Sequence, residues 1–240
     1  MRMRKHFATG AALAAAAAMA LTACGGGGGT TASGTGTGTE LNVAAAYTSD
    51  DFGPLTTGAL PMGTNWQVIE GLYRLDRTDY SVSPALAAGD PVMVSDTEYE
   101  IALRDGAKFS DGTDVTAEDV VAAFGKATAE GSIFGQFFTF IDSMEAKDTT
   151  TVTVHLKHPF ASLKERLAIL MVTPASADAA AMKSNPIGSG PYKYTEVGEQ
   201  KVVAVPNEYY NGNAPATVDT INWLPLKDDT PRLSAAYDGT

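Results

Sequence analysis

A chain of 240 residues that is 44% hydrophobic and 19% charged is globular, with length for one large or two small cores. Its 17 Lys+Arg stand against 28 Asp+Glu, a net charge of −11, and three of the bases (Arg2, Arg4, Lys5) fall within the first five residues. A surface this acidic repels phosphate backbones, which argues against a nucleic-acid partner.

The chain opens MRMRKHFATGAALAAAAAMALTAC. A basic head precedes an apolar run from Gly10 to Leu21, too short to span a bilayer but of signal-peptide length. A poorly cleaved secretory signal or a chance Ala-rich helix also fits such a run. Leu21-Thr22-Ala23-Cys24, which ends it, resembles the bacterial lipobox, in which the cysteine is lipidated on sulfur and the chain is cut just before it. That resemblance implies a signal peptide over 1–23, a lipid on Cys24, and an exported protein anchored at the extracytoplasmic face of the cell membrane. Cys24 is the only cysteine, so no intrachain disulfide forms. Gly25 to Thr39 (GGGGGTTASGTGTGT) has no side chain able to build a core. Residues 24–39 therefore read as a flexible tether with an r.m.s. reach of roughly 20 Å.

Glu40–Thr48 reads as a first strand with Leu41 and Val43 on one face, broken at Gly53-Pro54. In Thr64–Asp76 the spacing of Trp66, Ile69 and Tyr73, and of Val68 and Leu72, predicts a helix with Gly71 near its end. Ser83–Gly89 reads as a connecting turn. Tyr99, Ile101 and Leu103 alternate with Glu98, Glu100 and Ala102, the pattern of a half-buried strand. Val120, Val121 and Phe124 mark a helix, whereas the aromatic-rich stretch Ile133–Ile141 fits helix or loop. Val152, Val154 and Leu156 alternate in a strand stopped by Pro159. Leu163, Leu167 and Leu170 align on a helix, and ADAAAM adds a short helical piece. NPIGSGPYKYTEV is a turn running into a strand, and KVVAVPNEYY and TVDTINWLPL read as two more. Thr230 is placed to cap a last helix, with Pro231 at its first position. Strands and helices mix without strict alternation, so the fold class is α+β (mixed α/β), not a doubly wound sheet.

RDGAKFSDGTDVTAEDVVAAF, Arg104 to Phe124, gathers Asp111, Asp114, Glu118 and Asp119 among glycines. A helix-loop-helix calcium loop needs D-x-[DN]-x-[DN]-G, and the first half of that ligand set is missing. Glu118 and Asp119 are helix neighbours that point in different directions and make no acid/base pair. Turns and a cap account for more of the residues. Asp105-Gly106 and Asp111-Gly112 suit turns, and Thr116-Ala117-Glu118-Asp119 is a capping box.

The order of these devices resembles the signature of the family 5 extracytoplasmic solute-binding proteins, the peptide- and nickel-binding receptors of ABC importers. Their pattern runs much like L-R-D-G-V-K-F-x-D-G-T-P-V-T-A-E-D-V, with Ala107 here in place of the usual Val and Asp114 in place of Pro. NWQVIEGLYRLD resembles their V-x-E-G-L-x-x-x-D segment. SPALAAGDPVMVSDTEYEIALR resembles P-x-L-A-x-x-W, with Asp90 where Trp is common. NPIGSGPYKYTEV resembles N-P-V-G-T-G-P-Y, and NEYYNGNAPATVDTINW resembles N-x-x-Y-W-G-x-x-P-x-x-D-x-I. The matches cover most of residues 65–240.

The resemblance implies a periplasmic-binding-protein-like type II architecture of two hinged lobes, of which this chain holds the first. Residues 40–83 and 172–240 would form a discontinuous sheet domain, and 84–171 a smaller inserted domain. It implies a receptor rather than an enzyme, monomeric and without metal or cofactor. Its partners would be an oligopeptide or similar small solute, the permease subunits of an ABC importer, and the membrane through the lipid. In peptide-binding relatives the second lobe usually supplies the acid that meets the ligand's amino terminus. That lobe is expected to be absent here, and one lobe alone cannot close over a peptide. Weak binding or none is the expectation. By the same resemblance Tyr47, Thr48 and Ser49, just after the first strand, and Phe134, Phe137 and Phe138, at the edge of the inserted domain, are candidates to face the ligand. Read from the residues alone, the first three fit a surface turn and the phenylalanines fit core.

His155 and His158 are the only histidines outside the signal. On a strand, positions three apart face opposite ways, which gives a metal pair little support. GSGP at Gly188–Pro191 lacks the Lys-Ser/Thr of a phosphate loop and reads as a turn. No Ser/His/Asp arrangement is evident. Trp66 and Trp223 suit core packing better than stacking on a ligand. A surface adhesion or structural lipoprotein accounts for the lipobox, the tether and the acidity, but not for the family signature.

Overall fold

The computed structural model describes residues 38–238. The expected signal peptide, the lipidation at Cys24 and nearly all of the tether lie outside the described residues. The described chain opens with β1 (Glu40–Ala45), α1 (Ala59–Thr64), a 3-10 turn at Asn65–Gln67, β2 (Tyr73–Leu75) and β3 (Val82–Pro84). Then come β4 (Val92–Ser95), β5 (Glu98–Ala102), α2 (Ala117–Thr128), a 3-10 segment at Ile133–Phe138, β6 (Ile141–Ala146), β7 (Thr151–Leu156) and α3 (Leu163–Leu167). The remainder is α4 (Ala181–Ser184), β8 (Tyr192–Val197), β9 (Val202–Pro206), β10 (Thr220–Pro225) and α5 (Asp229–Asp238).

Three sheets result. The first runs β1-β10-β9-β8, with β1 parallel to β10 and the other pairs antiparallel. Glu40 stands opposite Thr220 and Val43 opposite Trp223, so the first and last strands close one sheet. Tyr192, Tyr194, Val202, Ala204, Ile221 and Trp223 turn inward from it onto Phe52, Leu60, Val68 and Ile69. The second sheet, β4-β5-β7-β6, is antiparallel throughout, with Tyr99 opposite Val154 and Ile101 opposite Val152. Helix α2 covers it, placing Ala117, Val120, Ala123 and Ala127 in the same core as Ile101, Val152 and Val154. Burying each such Val or Ile is worth about 1.5–3 kcal/mol. The hairpin β2-β3 forms the third sheet.

The cap of α2 is built from the residues expected. The Asp119 carboxylate accepts from the Thr116 amide and from its hydroxyl, each at 2.8 Å. Its other oxygen accepts from the Ala175 amide at 2.7 Å, tying the helix start to a distant loop. Asp111 accepts from the Thr113 amide at 2.9 Å, and Lys108 pairs with Asp114. Asp111, Asp114 and Asp119 are thus occupied with a turn, a surface ion pair and a cap.

The helix expected over Thr64–Asp76 is not formed. After the turn at Asn65–Gln67 the chain extends, and the carbonyls of Val68, Glu70, Gly71 and Leu72 accept from the amides of Gly190, Val172, Leu86 and Ala85. Those carbonyls are therefore not available to a helix. The apolar residues repeat at helical spacing because the segment is buried on all sides. Val68 and Ile69 enter the core of the first sheet, and Leu72 and Tyr73 that of the second. A Cβ on Gly71 would lie 2.8 Å from the Ala168 carbonyl oxygen, so the crossing needs glycine there. Strands β4 and β6 were not legible in the sequence. All of β4 is exposed, and β6 carries a register shift between Ile141 and Ser143 that breaks its alternation. The last helix starts at Asp229, one residue before the expected cap.

Candidate functional site

The crossing segment carries a carboxylate between the two cores. Glu70 meets Arg104 at 3.1 Å, with side-chain exposures of 6% and 16%. Arg104 also donates to Asn211 Oδ1 at 2.9 Å and to the Ala85 carbonyl, and lies 5.4 Å from the centre of the Tyr210 ring. Asn211 in turn donates to the Asp105 carbonyl at 2.9 Å. Burial pushes the Glu70 carboxyl above the ordinary carboxylate range, and Arg104 beside it pulls the other way. The Ser189 hydroxyl is fully buried beside this carboxylate. Glu70, Arg104, Ser189 and Tyr210, from four of the signature segments, thus converge on one knot that is buried at Glu70 and Ser189 and reaches the surface at Asn211.

Beside the knot, α1 and the turn after it are anchored to the first sheet. Tyr194 donates its hydroxyl proton to Asn65 Oδ1 at 2.9 Å, so Thr64 Oγ1, 2.6 Å away, donates to Tyr194. Asn65 Nδ2 donates to the Phe52 carbonyl at 3.0 Å. These bonds hold the segment whose Met62 and Trp66 line a cavity of about 300 Å³. Its walls are Pro54, Thr56, Pro61, Met62, Asn65 and Trp66 from one side, and Phe134, Phe137, Arg166, Ile169 and Met171 from the other. The Phe134 and Phe137 rings stand 6.4 Å apart at 57°. The wall is apolar and aromatic with a few polar groups, the usual make-up of a small-molecule site. A second cavity of about 370 Å³ is also bordered by Trp66, and the Arg77 guanidinium in its wall sits 5.2 Å from the indole centre.

Two of the sequence candidates, Phe134 and Phe137, are brought together in the cavity wall. Phe138, next to them, points the other way. It is 2% exposed and packs edge-on against Phe124 at 6.1 Å in the second core. Tyr47 is exposed and Thr48 and Ser49 are half-buried, and none of the three lines this cavity. Ser49 bonds instead with Asp51, accepting from its amide at 3.2 Å. Sequence reasoning assigned Trp66 to the core and did not single out Met62, Arg166 or Met171. No local pattern marks them, because the cavity is assembled from segments far apart in the chain. Trp223 is core, edge-on to Tyr194. Among the described residues no group of three or more His, Cys, Asp or Glu is placed to hold a metal ion.

Solved structures share this arrangement of sheets. The chain superposes over 85% of its length on MppA, a periplasmic murein tripeptide binding protein in its unliganded open form, with a TM-score of 0.76 and 22% identity. It superposes equally far on Listeria monocytogenes OppA bound to peptide, with a TM-score of 0.75 and 22% identity. The fold is that of a single lobe of the type II periplasmic binding proteins, mixed α/β with a discontinuous sheet.

The pattern of the bacterial extracellular solute-binding proteins, family 5 Middle, matches residues 81–240, and the chain belongs to that family. Such proteins act outside the cytoplasm. Among curated relatives, the glutathione-binding protein GsiB of Escherichia coli O1:K1 is 30% identical over 179 residues, 71% of this chain and 35% of its own length. The chain thus spans about a third of that relative, and 44% and 46% of the MppA and OppA chains.

Proposed function

We propose that the chain is the solute-gripping first lobe of an extracytoplasmic receptor, not an enzyme, which captures oligopeptides or similar small solutes for an ABC importer. In this reading Cys24 carries the lipid that holds it at the membrane. The importer's permease subunits are its protein partners. The sheet domain is 40–83 with 172–240, and the inserted domain is 84–171. The placement of β1 and β8–β10 in one sheet, and of β4–β7 in another, supports that division.

The observation that carries the reading is the aromatic cavity of about 300 Å³ walled by Trp66, Phe134 and Phe137. It offers an apolar pocket to a solute side chain on a rigid frame. The relatives' names point to peptides of glutathione and tripeptide size, which a pocket of this size suits in part, one side chain at a time. A lobe taken by itself grips such a solute more weakly than two lobes that close over it.

The test is a ligand-observed NMR titration of the full chain with di- to pentapeptides, repeated on a Phe134→Ala/Phe137→Ala variant. Weak association that the variant loses is the expected result. Association indifferent to the two substitutions removes the cavity from the site, and no association with any peptide removes the ligand class.

A further inference from the structure

Arg166 is the one charged residue in the wall of the aromatic cavity. It is half-buried, follows directly on Glu165 in α3, and has no ion pair and no side-chain hydrogen bond among the described residues. Of the other cations near walls or cores, Arg77 also lacks an ion pair among the described residues but lies over the Trp66 ring, and the following three are paired. Arg104 holds Glu70, Arg232 holds Asp229, and Lys183, at a neighbouring cavity of about 220 Å³, pairs with Asp51 at 3.3 Å. On a chain of net charge −11 carboxylates are plentiful, so an unclaimed guanidinium facing Trp66, Phe134 and Phe137 stands out.

We propose that Arg166 determines the solute class of this site: a molecule with an apolar or aromatic body that carries a carboxylate, the body against the aromatic wall and the carboxylate on Arg166. The inference rests on the reading of the cavity as the solute site. Three physical points support it. The guanidinium presents its donors in a planar fork that matches a carboxylate two bonds at a time. An apolar body that fills the cavity displaces water from around the guanidinium, and the lower local dielectric strengthens the pair. The net negative charge repels anions at a distance, so an acid is selected only by a local contact of this kind. The carboxyl terminus of a short peptide with an apolar last residue belongs to the class.

The experiment uses two probes of one shape, 3-phenylpropionate and 3-phenylpropionamide, titrated into the full chain by ligand-observed NMR. Wild type is expected to bind the acid at least about tenfold tighter than the amide, the worth of one charge-assisted hydrogen bond. Arg166→Gln is expected to bring the acid down to the amide, and Arg166→Lys to keep part of the preference. Equal binding of the two probes by wild type, or an undiminished preference in Arg166→Gln, overturns the proposal. If Arg166→Gln fails to fold by circular dichroism, the acid-to-amide ratio in wild type against Arg166→Lys decides, and an unchanged ratio overturns it. Phe137→Ala separates the two readings. Equal binding that Phe137→Ala abolishes leaves the cavity as the solute site and removes only the role of Arg166. Binding of neither probe, or binding indifferent to Phe137→Ala, removes the site and the proposal together.

Discussion

Glu70 Oε2 and Arg104 Nη2 meet 3.1 Å apart where the chain crosses from the core of one sheet to the core of the other. The two residues lie on connecting segments 34 positions apart in the chain, so the pair and the groups around it tie the crossing to the segment after β5. Removing one partner strands a buried charge. Arg104→Ala is expected to lower the unfolding free energy by about 3–5 kcal/mol, measured by urea denaturation. Glu70→Leu combined with Arg104→Met, which removes both charges and keeps the volume, is expected to lose less than the two single changes summed.

The raised carboxyl of Glu70 gives the pair a pH signature. Its ordinary value is 4.5. Between 4.5 and the raised folded value the folded state binds more protons than the unfolded state. This contribution to stability is therefore full below 4.5 and is lost as pH rises through the folded value. Glu70→Gln does not titrate. The difference in unfolding free energy, wild type minus Glu70→Gln, is expected to shrink as pH is raised from the acidic end. A difference that grows with pH would show that Arg104 outweighs burial at this site.

Gly190 supports the crossing from the other side. Its amide donates to the Val68 carbonyl at 2.9 Å, and a Cβ there would stand 2.6 Å from the Gln67 carbonyl oxygen. Both neighbours are backbone, which cannot turn aside. Gly190→Ala is expected to destabilise by about 1–3 kcal/mol. Gly125, on α2 with open space where its Cβ would be, is the control. Gly125→Ala is expected to stabilise by about 0.5–1 kcal/mol, with the same denaturation series reading both signs.

Phe137 and Phe138 are adjacent in sequence and opposite in role. Phe138→Ala empties a packed position and is expected to cost about 3–5 kcal/mol. Phe137 is half-buried, lines the cavity and only flanks the core that holds Phe138. Phe137→Ala is expected to cost clearly less stability than Phe138→Ala while weakening association with 3-phenylpropionate. A large loss of stability from Phe137→Ala would make that ring core and not wall.

Cys24→Ser tests the anchor apart from the fold. The protein is expected to move from the membrane fraction to the soluble extracytoplasmic fraction and to lose incorporated fatty acid. Retention in the membrane would remove Cys24 as the attachment point.

The local chemistry of this chain was readable residue by residue. Thr116 and Asp119 announce a cap, Asp111 and Gly112 a turn, and the alternation of Val152, Val154 and Leu156 a strand half-buried in one core. The ordered signature around them carried the family, because caps, turns and glycines are local requirements that a sequence states openly. Burial from two sides was not readable. Val68, Ile69, Leu72 and Tyr73 repeat like a helix face, yet they serve two cores in an extended segment whose carbonyls are taken by distant amides. The cavity was hidden for the same reason. Phe134 and Phe137 become a wall, and Arg166 its single charge, only when the distant segments Pro54–Trp66, Phe134–Phe137 and Arg166–Met171 are packed together. Periodicity records that a side chain is buried, and tertiary packing alone decides against what.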